Sequence, residues 1–278
     1  MDTLGGAVPG GTLVAGDRRV QGADMKCQVV LSLFPGIGLL DRAFEQEGFC
    51  VVRGPDLLWG GDVHEFHPPA GTFDGVIAGP PCQKHSLLNR MNVKRGKGNA
   101  VDLIPEFSRC VEESQARWFL MENVPLAPDP HCPSYHVTAS LLNNRQCPVD
   151  GSPVGPEQNR KRRFWFGVRR TESDKPVWLN VSKAVQENPV WSATVTANGI
   201  SKPGTEHTRG KKERRLYGWS SWANLRRALQ WQGFPEDLLR GTPLTLKGAF
   251  RMVGNGVPLP MGLAVARAVK DAIQGGVT

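Results

Sequence analysis

The sequence predicts an α/β protein built on an open sheet, and three observations carry that reading. Short apolar runs at Val29–Phe34, Phe49–Arg53, Phe73–Ala78 and Arg117–Met121 have the length and side-chain type of buried strands. Helical stretches at Leu39–Glu47 and Leu103–Glu113 lie between them. The turns after the first and third runs, Pro35-Gly36-Ile37-Gly38 and Gly79-Pro80-Pro81-Cys82-Gln83, are built from residues that either free or fix the backbone. In an open α/β sheet, ligands bind outside the carboxyl ends of the strands, where both turns fall.

The chain has 278 residues, enough for one large domain with a smaller annex and for a substantial core. Its 34 Lys and Arg outnumber 26 Asp and Glu to leave a net charge of +8, which points to a polyanionic partner. Six cysteines contain no Cys-x-x-Cys pair, no stretch has the basic-then-apolar form of a signal peptide, and no apolar run is long enough to span a membrane. These features predict a reduced, cytoplasmic protein with no membrane association. His131, Cys132, His136 and Cys147 match no standard zinc spacing, so no metal is expected.

Residues 1–25 are glycine-rich without apolar periodicity and read as a flexible leader. The first strand, glycine turn and helix form a unit in which backbone N–H groups can face a phosphate or a cofactor, although a lone Gly-x-Gly also occurs in ordinary turns. Asp56, after the second strand, is placed either to accept ribose hydroxyls or simply to cap a turn. The two prolines before Cys82 hold its thiol on stiff backbone at a strand end. Residues 84–101 carry Arg90, Lys94, Arg95 and Lys97 with little apolar pattern, and read as a solvated loop or as a lid over a phosphate backbone. Glu122 ends the fourth strand, so that Cys82 and Glu122 converge if the third and fourth strands are neighbours. A short helix is expected around Thr138–Asn143. Gln158, Arg160 and Arg162 alternate before the strand Phe164–Val168, and alternation along an extended chain puts them on one face. A short strand is expected at Ala193–Thr196, and the run from Arg209 to Arg215, with Lys211, Lys212 and Arg214, reads as a DNA-facing or a solvated loop. A helix at Leu225–Gln232, and the stretch Phe250–Pro258 before a helix from about Pro260 to Ile273, complete the chain.

Together these segments resemble the DNA (cytosine-5)-methyltransferases, from about Val29 to Ala272. Phe34-Pro35-Gly36-Ile37-Gly38 is similar to that family's first cofactor motif, Gly79–Gln83 to its catalytic loop, and Glu122-Asn123-Val124 to its acidic motif. Gln158-x-Arg160-x-Arg162, Leu225–Pro235 and Gly254-Asn255-Gly256-Val257-Pro258 resemble the eighth, ninth and tenth motifs. The resemblance implies a Rossmann-like sheet binding S-adenosylmethionine, with a small, irregular target-recognition domain. It divides the chain into a leader (1–25), a catalytic domain (26–168), a recognition domain (169–245) and a carboxyl-terminal segment (246–278) returning to the catalytic domain.

The resemblance also implies roles. Cys82 would add to carbon 6 of a cytosine flipped from double-stranded DNA, Glu122 would hold and protonate nitrogen 3, and Arg162, supported by Arg160 and Gln158, would polarise the base. Phe34, Gly36, Ile37, Gly38 and Leu39 would line the cofactor site, Asp56 would take the ribose, and Asp62 with Val63 the adenine edge. Pro80, Leu103, Asn255 and Val257 would complete it. Gln83, Arg90, Lys94, Arg95, Lys97, Gln158, Lys211, Lys212 and Arg214 would contact DNA, and the protein would act as a monomer.

Three departures from the family pattern matter. Only five residues separate Asp56 from Asp62, so the adenine side is expected to be open; Lys84-His85-Ser86 follows the catalytic Pro-Cys-Gln; and the recognition interval is short. Few base-edge contacts imply a recognition site of about two to four base pairs. An RNA cytosine-5 methyltransferase, and an inactive relative that only binds DNA, are the competing readings. The target bases and the biological setting, whether restriction partner, phage protection or regulation, are left open.

Overall fold

The computed structural model describes residues 27–81, 101–188, 194–197, 199–201, 215–217 and 221–275. Cys82, Gln83, Arg90, Lys94, Arg95, Lys97, Lys211, Lys212 and Arg214 lie outside the described residues, as does the leader.

The chain begins with β1 (Val29–Leu33), α1 (Leu39–Gln46), β2 (Cys50–Arg53) and β3 (Gly75–Ala78), followed by α2 (Ile104–Ser114) and β4 (Trp118–Asn123). Then come β5 (Tyr135–Asn143) and β6 (Lys161–Arg169), and these six strands form one sheet in the order β2-β1-β3-β4-β6-β5. The first four are parallel, whereas β6 runs antiparallel to both β4 and β5. Every residue of β3 and β4 is buried, which is why both read as unbroken apolar runs. Chain order reverses between β1 and β3, so the sheet has its topological switch point there, beside the neighbouring ends of β3 and β4.

Two cores cover the sheet. On one face Val30, Phe44, Trp118 and Phe166 pack with Met261 and Val265 of α5 (Leu259–Gly275), which returns from the end of the chain to lie against α1. On the other, Leu31, Phe119 and Trp165 pack with Phe107 and Val111 of α2. A third core joins Leu39 of α1, Val195, and two further helices, α3 (Trp222–Trp231) and α4 (Leu246–Asn255). Ser221 and Thr245 cap these helices, each accepting a backbone N–H in the first turn. A small antiparallel sheet of β7 (Val195–Thr196), β8 (Gly199–Ser201) and β9 (Arg215–Tyr217) stands beside them.

One expectation is corrected. Thr138–Asn143 is not helical but the end of β5, which pairs residue for residue with β6 from Tyr135↔Arg169 to Asn143↔Lys161; ladder formation overrides a weak local preference. Residues 250–255, the first part of the stretch Phe250–Pro258, are the end of α4, which packs with α3 in the third core.

Candidate active site

A cleft of about 460 Å³ opens at the carboxyl ends of β1, β3 and β4, a size suited to a small-molecule ligand. Its first wall is the glycine turn. Phe34, Gly36 and Gly38 have φ of 55°, 56° and 73°; two are glycines, while Phe34 carries a strain of roughly 1–3 kcal/mol that surrounding structure must hold. The holding groups come from the exit of β2. Asp56 Oδ2 accepts the Gly36 N–H at 2.8 Å, its Oδ1 accepts the Leu58 N–H at 2.8 Å, and Trp59 Nε1 donates to the Gly36 carbonyl at 2.7 Å. The Gly36 residue is thus clamped on both sides by a single helical turn, Leu57–Trp59, which fits the short interval before Asp62.

Beneath the turn, Asp41 lines the cleft at 1% exposure. Ser32 Oγ donates to it at 2.6 Å and Arg53 Nε at 3.0 Å, yet burial outweighs both and pushes its carboxyl above the usual carboxylate range. Neither Asp41 nor Ser32 stood out in the sequence, because an aspartate in the first turn of an amphipathic helix looks like an ordinary solvated or dipole-facing residue.

The opposite wall carries Glu122. The residue is 7% exposed, and its carboxyl forms an ion pair with Arg162 Nε at 2.7 Å and is pushed up in pKa by burial despite the lowering effect of Arg162 and Arg160. Register places Ala78 beside Met121, so the chain leaving β3 passes Glu122 directly, and Gly79, Pro80 and Pro81 line the cleft with Glu122 and Arg162. Asn123 Nδ2 donates to the Pro80 carbonyl at 3.2 Å, tying that turn to β4 one residue after Glu122. Ile37, Leu39, Asn255 and Val257 also line the cleft, together with Arg251, which the sequence reading passed over.

Five expected site residues are placed elsewhere. Gln158 is 1% exposed with its carbonyl facing Asn144, so it is not positioned to touch DNA. Arg160 is 4% exposed and donates to the carbonyls of Val195, Gly254 and Gly256 rather than facing the cleft. Both residues precede β6, where the chain is not part of the ladder, and strand alternation does not apply. Val63 and Leu103 are buried together in the core beneath α2. Asp62 is half-exposed and caps the turn Val63–Glu65, where the His64 N–H and then its ring lower its pKa. Among the described residues, no cluster of His, Cys, Asp and Glu could hold a metal, and no helix is long and apolar enough to cross a membrane.

Comparisons with known proteins bear on this geometry. Residues 61–213 match the model of the C-5 cytosine-specific DNA methylases. The type II methyltransferase M.FnuDI of Fusobacterium nucleatum is 29% identical over 175 residues, covering 51% of this chain and 47% of that protein. M.NgoPII of Neisseria gonorrhoeae is 27% identical over 176 residues, covering 51% and 48%. The chain therefore spans about half the length of the curated relatives it matches. Among solved structures, a protein from a prophage (E. coli), described as a candidate DNA modification methyltransferase, superposes with a TM-score of 0.57 at 16% identity, covering 89% of this chain and all of that one. The methyltransferase EhMeth of Entamoeba histolytica gives 0.50 at 14% identity, covering 91% and 99%. The shared fold agrees with the sheet described above. With more than half its length matched by the family model, and with Glu122, Arg162 and the turn into Cys82 brought to one cleft, the chain belongs to the C-5 cytosine-specific DNA methylase family.

Proposed function

We propose that this chain is a DNA (cytosine-5)-methyltransferase that takes a cytosine flipped out of duplex DNA and activates it through Cys82. The observation that carries the reading is the buried Glu122–Arg162 pair, facing the cleft beside the Gly79–Pro81 turn that leads directly to Cys82. Carbon 5 of cytosine is too weak a nucleophile to be alkylated unaided. Addition of the Cys82 thiolate to carbon 6, with a proton passed from Glu122 to nitrogen 3, makes carbon 5 enamine-like and nucleophilic. Burial keeps the Glu122 carboxyl disposed to carry that proton, and Arg162 orients it and faces the base. Once carbon 5 is substituted, loss of its hydrogen as a proton restores the ring double bond and expels Cys82. The base must leave the helix for any of this, at a cost of a few kcal/mol.

The residues present suit S-adenosylmethionine. Phe34, Ile37, Leu39 and Val257 offer apolar walls, while the Asp41 and Asp56 carboxyl groups offer acceptors for the cofactor's polar groups. Asp56 retains free lone pairs for ribose hydroxyls while still holding Gly36. Gly36, Gly38, Pro80 and Asn255 would complete the binding surface. When bound, S-adenosylmethionine supplies the electrophilic methyl group. The basic residues Arg90, Lys94, Arg95 and Lys97, with Gln83, Lys211, Lys212 and Arg214, are the proposed DNA contacts, on charge and sequence position. A monomer acting in the cytoplasm at a site of about two to four base pairs completes the proposal.

The test is transfer of labelled methyl from S-adenosylmethionine to duplex DNA and, separately, to total transfer RNA, followed by nucleoside analysis. Label in 5-methylcytosine of DNA supports the proposal; label in RNA alone favours the RNA reading, and none in either favours the inactive relative. Bisulfite mapping of the methylated DNA reads the site, and a six-base consensus would refute the short-site proposal.

A further inference from the structure

Arg160 occupies the position where the sequence pattern suggests a base contact, yet its guanidinium serves three backbone carbonyls: Val195 at 2.9 Å, Gly254 at 2.9 Å and Gly256 at 2.8 Å. These carbonyls belong to two parts of the molecule. Val195 is in β7 of the small sheet. Gly254 and Gly256 belong to the passage from α4 to α5, in which Asn255, Gly256 and Val257 line the cleft.

This passage is held on its other side as well. The Gln232 side chain, fully buried at the end of α3, donates to the Val253 carbonyl, and the Leu259 N–H donates to the Gln232 carbonyl at 2.8 Å. Two glycines are sterically required. A Cβ on Gly254 would overlap the Thr196–Ala197 backbone, and one on Gly256 would overlap the Leu39 side chain. The cleft wall is therefore wedged between the small sheet and the helix that follows the glycine turn. Arg160 bonds both the wall and β7, and it stands two residues before Arg162 at the base end of the cleft. A planar guanidinium can fork among several carbonyls at once, which an ammonium cannot. The Gly254 carbonyl is also one of the last of α4, where unsatisfied carbonyls favour a cation.

We infer that Arg160 is a positioning residue for the cofactor wall and for the seating of β7, and not a base contact. The inference rests on reading the cleft as the cofactor site. It means that a ligand ordering Asn255–Val257 also orders Val195–Ala197, to which Arg160 ties that passage.

Calorimetric binding of S-adenosylhomocysteine without DNA separates the roles. Arg160→Ala is expected to weaken binding by about tenfold or more, and Arg160→Lys by less, because lysine keeps the charge but not the fork. In steady state, the Arg160 variants should raise KM for the cofactor more than they lower kcat, and Arg162→Ala the reverse. Failure of the wild type to bind S-adenosylhomocysteine would refute the cleft reading itself. Wild-type binding unchanged in both Arg160 variants would overturn this inference alone. If the variants fail to fold, hydrogen exchange on the wild type decides: S-adenosylhomocysteine should slow exchange at residues 253–259 and at 195–197 together, and protection of the first without the second would overturn the inference.

Discussion

Replacing Glu122 by Gln probes the chemistry with little change of shape. In the folded protein the carboxyl is buried, ion-paired to Arg162 at 2.7 Å, and raised in pKa by that burial. A glutamine fills the same volume and can still accept from Arg162, but cannot give up a proton to nitrogen 3. Loss of a positioned general acid typically costs 10²–10⁴ in rate, or about 3–5 kcal/mol of barrier at 1.36 kcal/mol per decade. The assay is single-turnover methyl transfer at saturating cofactor and DNA, across pH. The wild-type rate should hold while Glu122 is protonated and fall as pH rises through its raised pKa; in Glu122→Gln that limb should vanish along with most of the rate. Cofactor binding should change by less than about threefold, since the substitution leaves the glycine turn untouched. A variant within tenfold of wild type, or one retaining the same alkaline limb, would refute the assignment of Glu122 as the proton donor.

Other perturbations read the supporting structure. Asp56→Ala removes the cap of the Leu57–Trp59 turn and the carboxylate that holds the Gly36 N–H; a loss of about 2–4 kcal/mol in urea unfolding is expected, together with weaker S-adenosylhomocysteine binding. Asn123→Ala frees the Pro80 carbonyl and should slow methyl transfer more than it weakens cofactor binding, for a stability loss of about 1–3 kcal/mol. Asp41 is raised in pKa by burial, so its contribution to stability is fully present below its unfolded value of 3.8 and is lost as pH rises through its folded value. Asp41→Asn removes that titration, and the stability of wild type relative to the variant should fall as pH increases from about 3.5 through that window. A difference that does not vary with pH would contradict the raised pKa.

The central sheet was legible because β1, β3 and β4 are buried on both faces and their apolar runs carry no competing pattern. The glycine turn and Glu122 were legible for a related reason: residues that must adopt unusual backbone, or carry charge at a strand end, stand out against an apolar background. The remainder depended on long-range pairing. β5 mixes exposed and buried residues irregularly, and only its ladder with β6 makes it a strand. Gln158 and Arg160 have the spacing of a shared face, but the chain enters β6 only at Lys161, so their side chains turn inward to Asn144 and to three carbonyls. Asp41 was hidden because its hydrogen-bond partners, Ser32 and Arg53, are contributed by two other elements. Val63 and Leu103, forty residues apart, meet in the core beneath α2, a contact that no local pattern announces.

The proposed nucleophile can be tested by trapping. A duplex containing 5-fluorocytosine cannot lose a proton from carbon 5, so incubation with the protein and S-adenosylmethionine should leave a covalent adduct that survives denaturing electrophoresis. Peptide mapping should place the DNA on Cys82, and Cys82→Ala should form no adduct. An adduct mapped to another residue, or trapping undiminished in Cys82→Ala, would contradict the proposed mechanism at its first step.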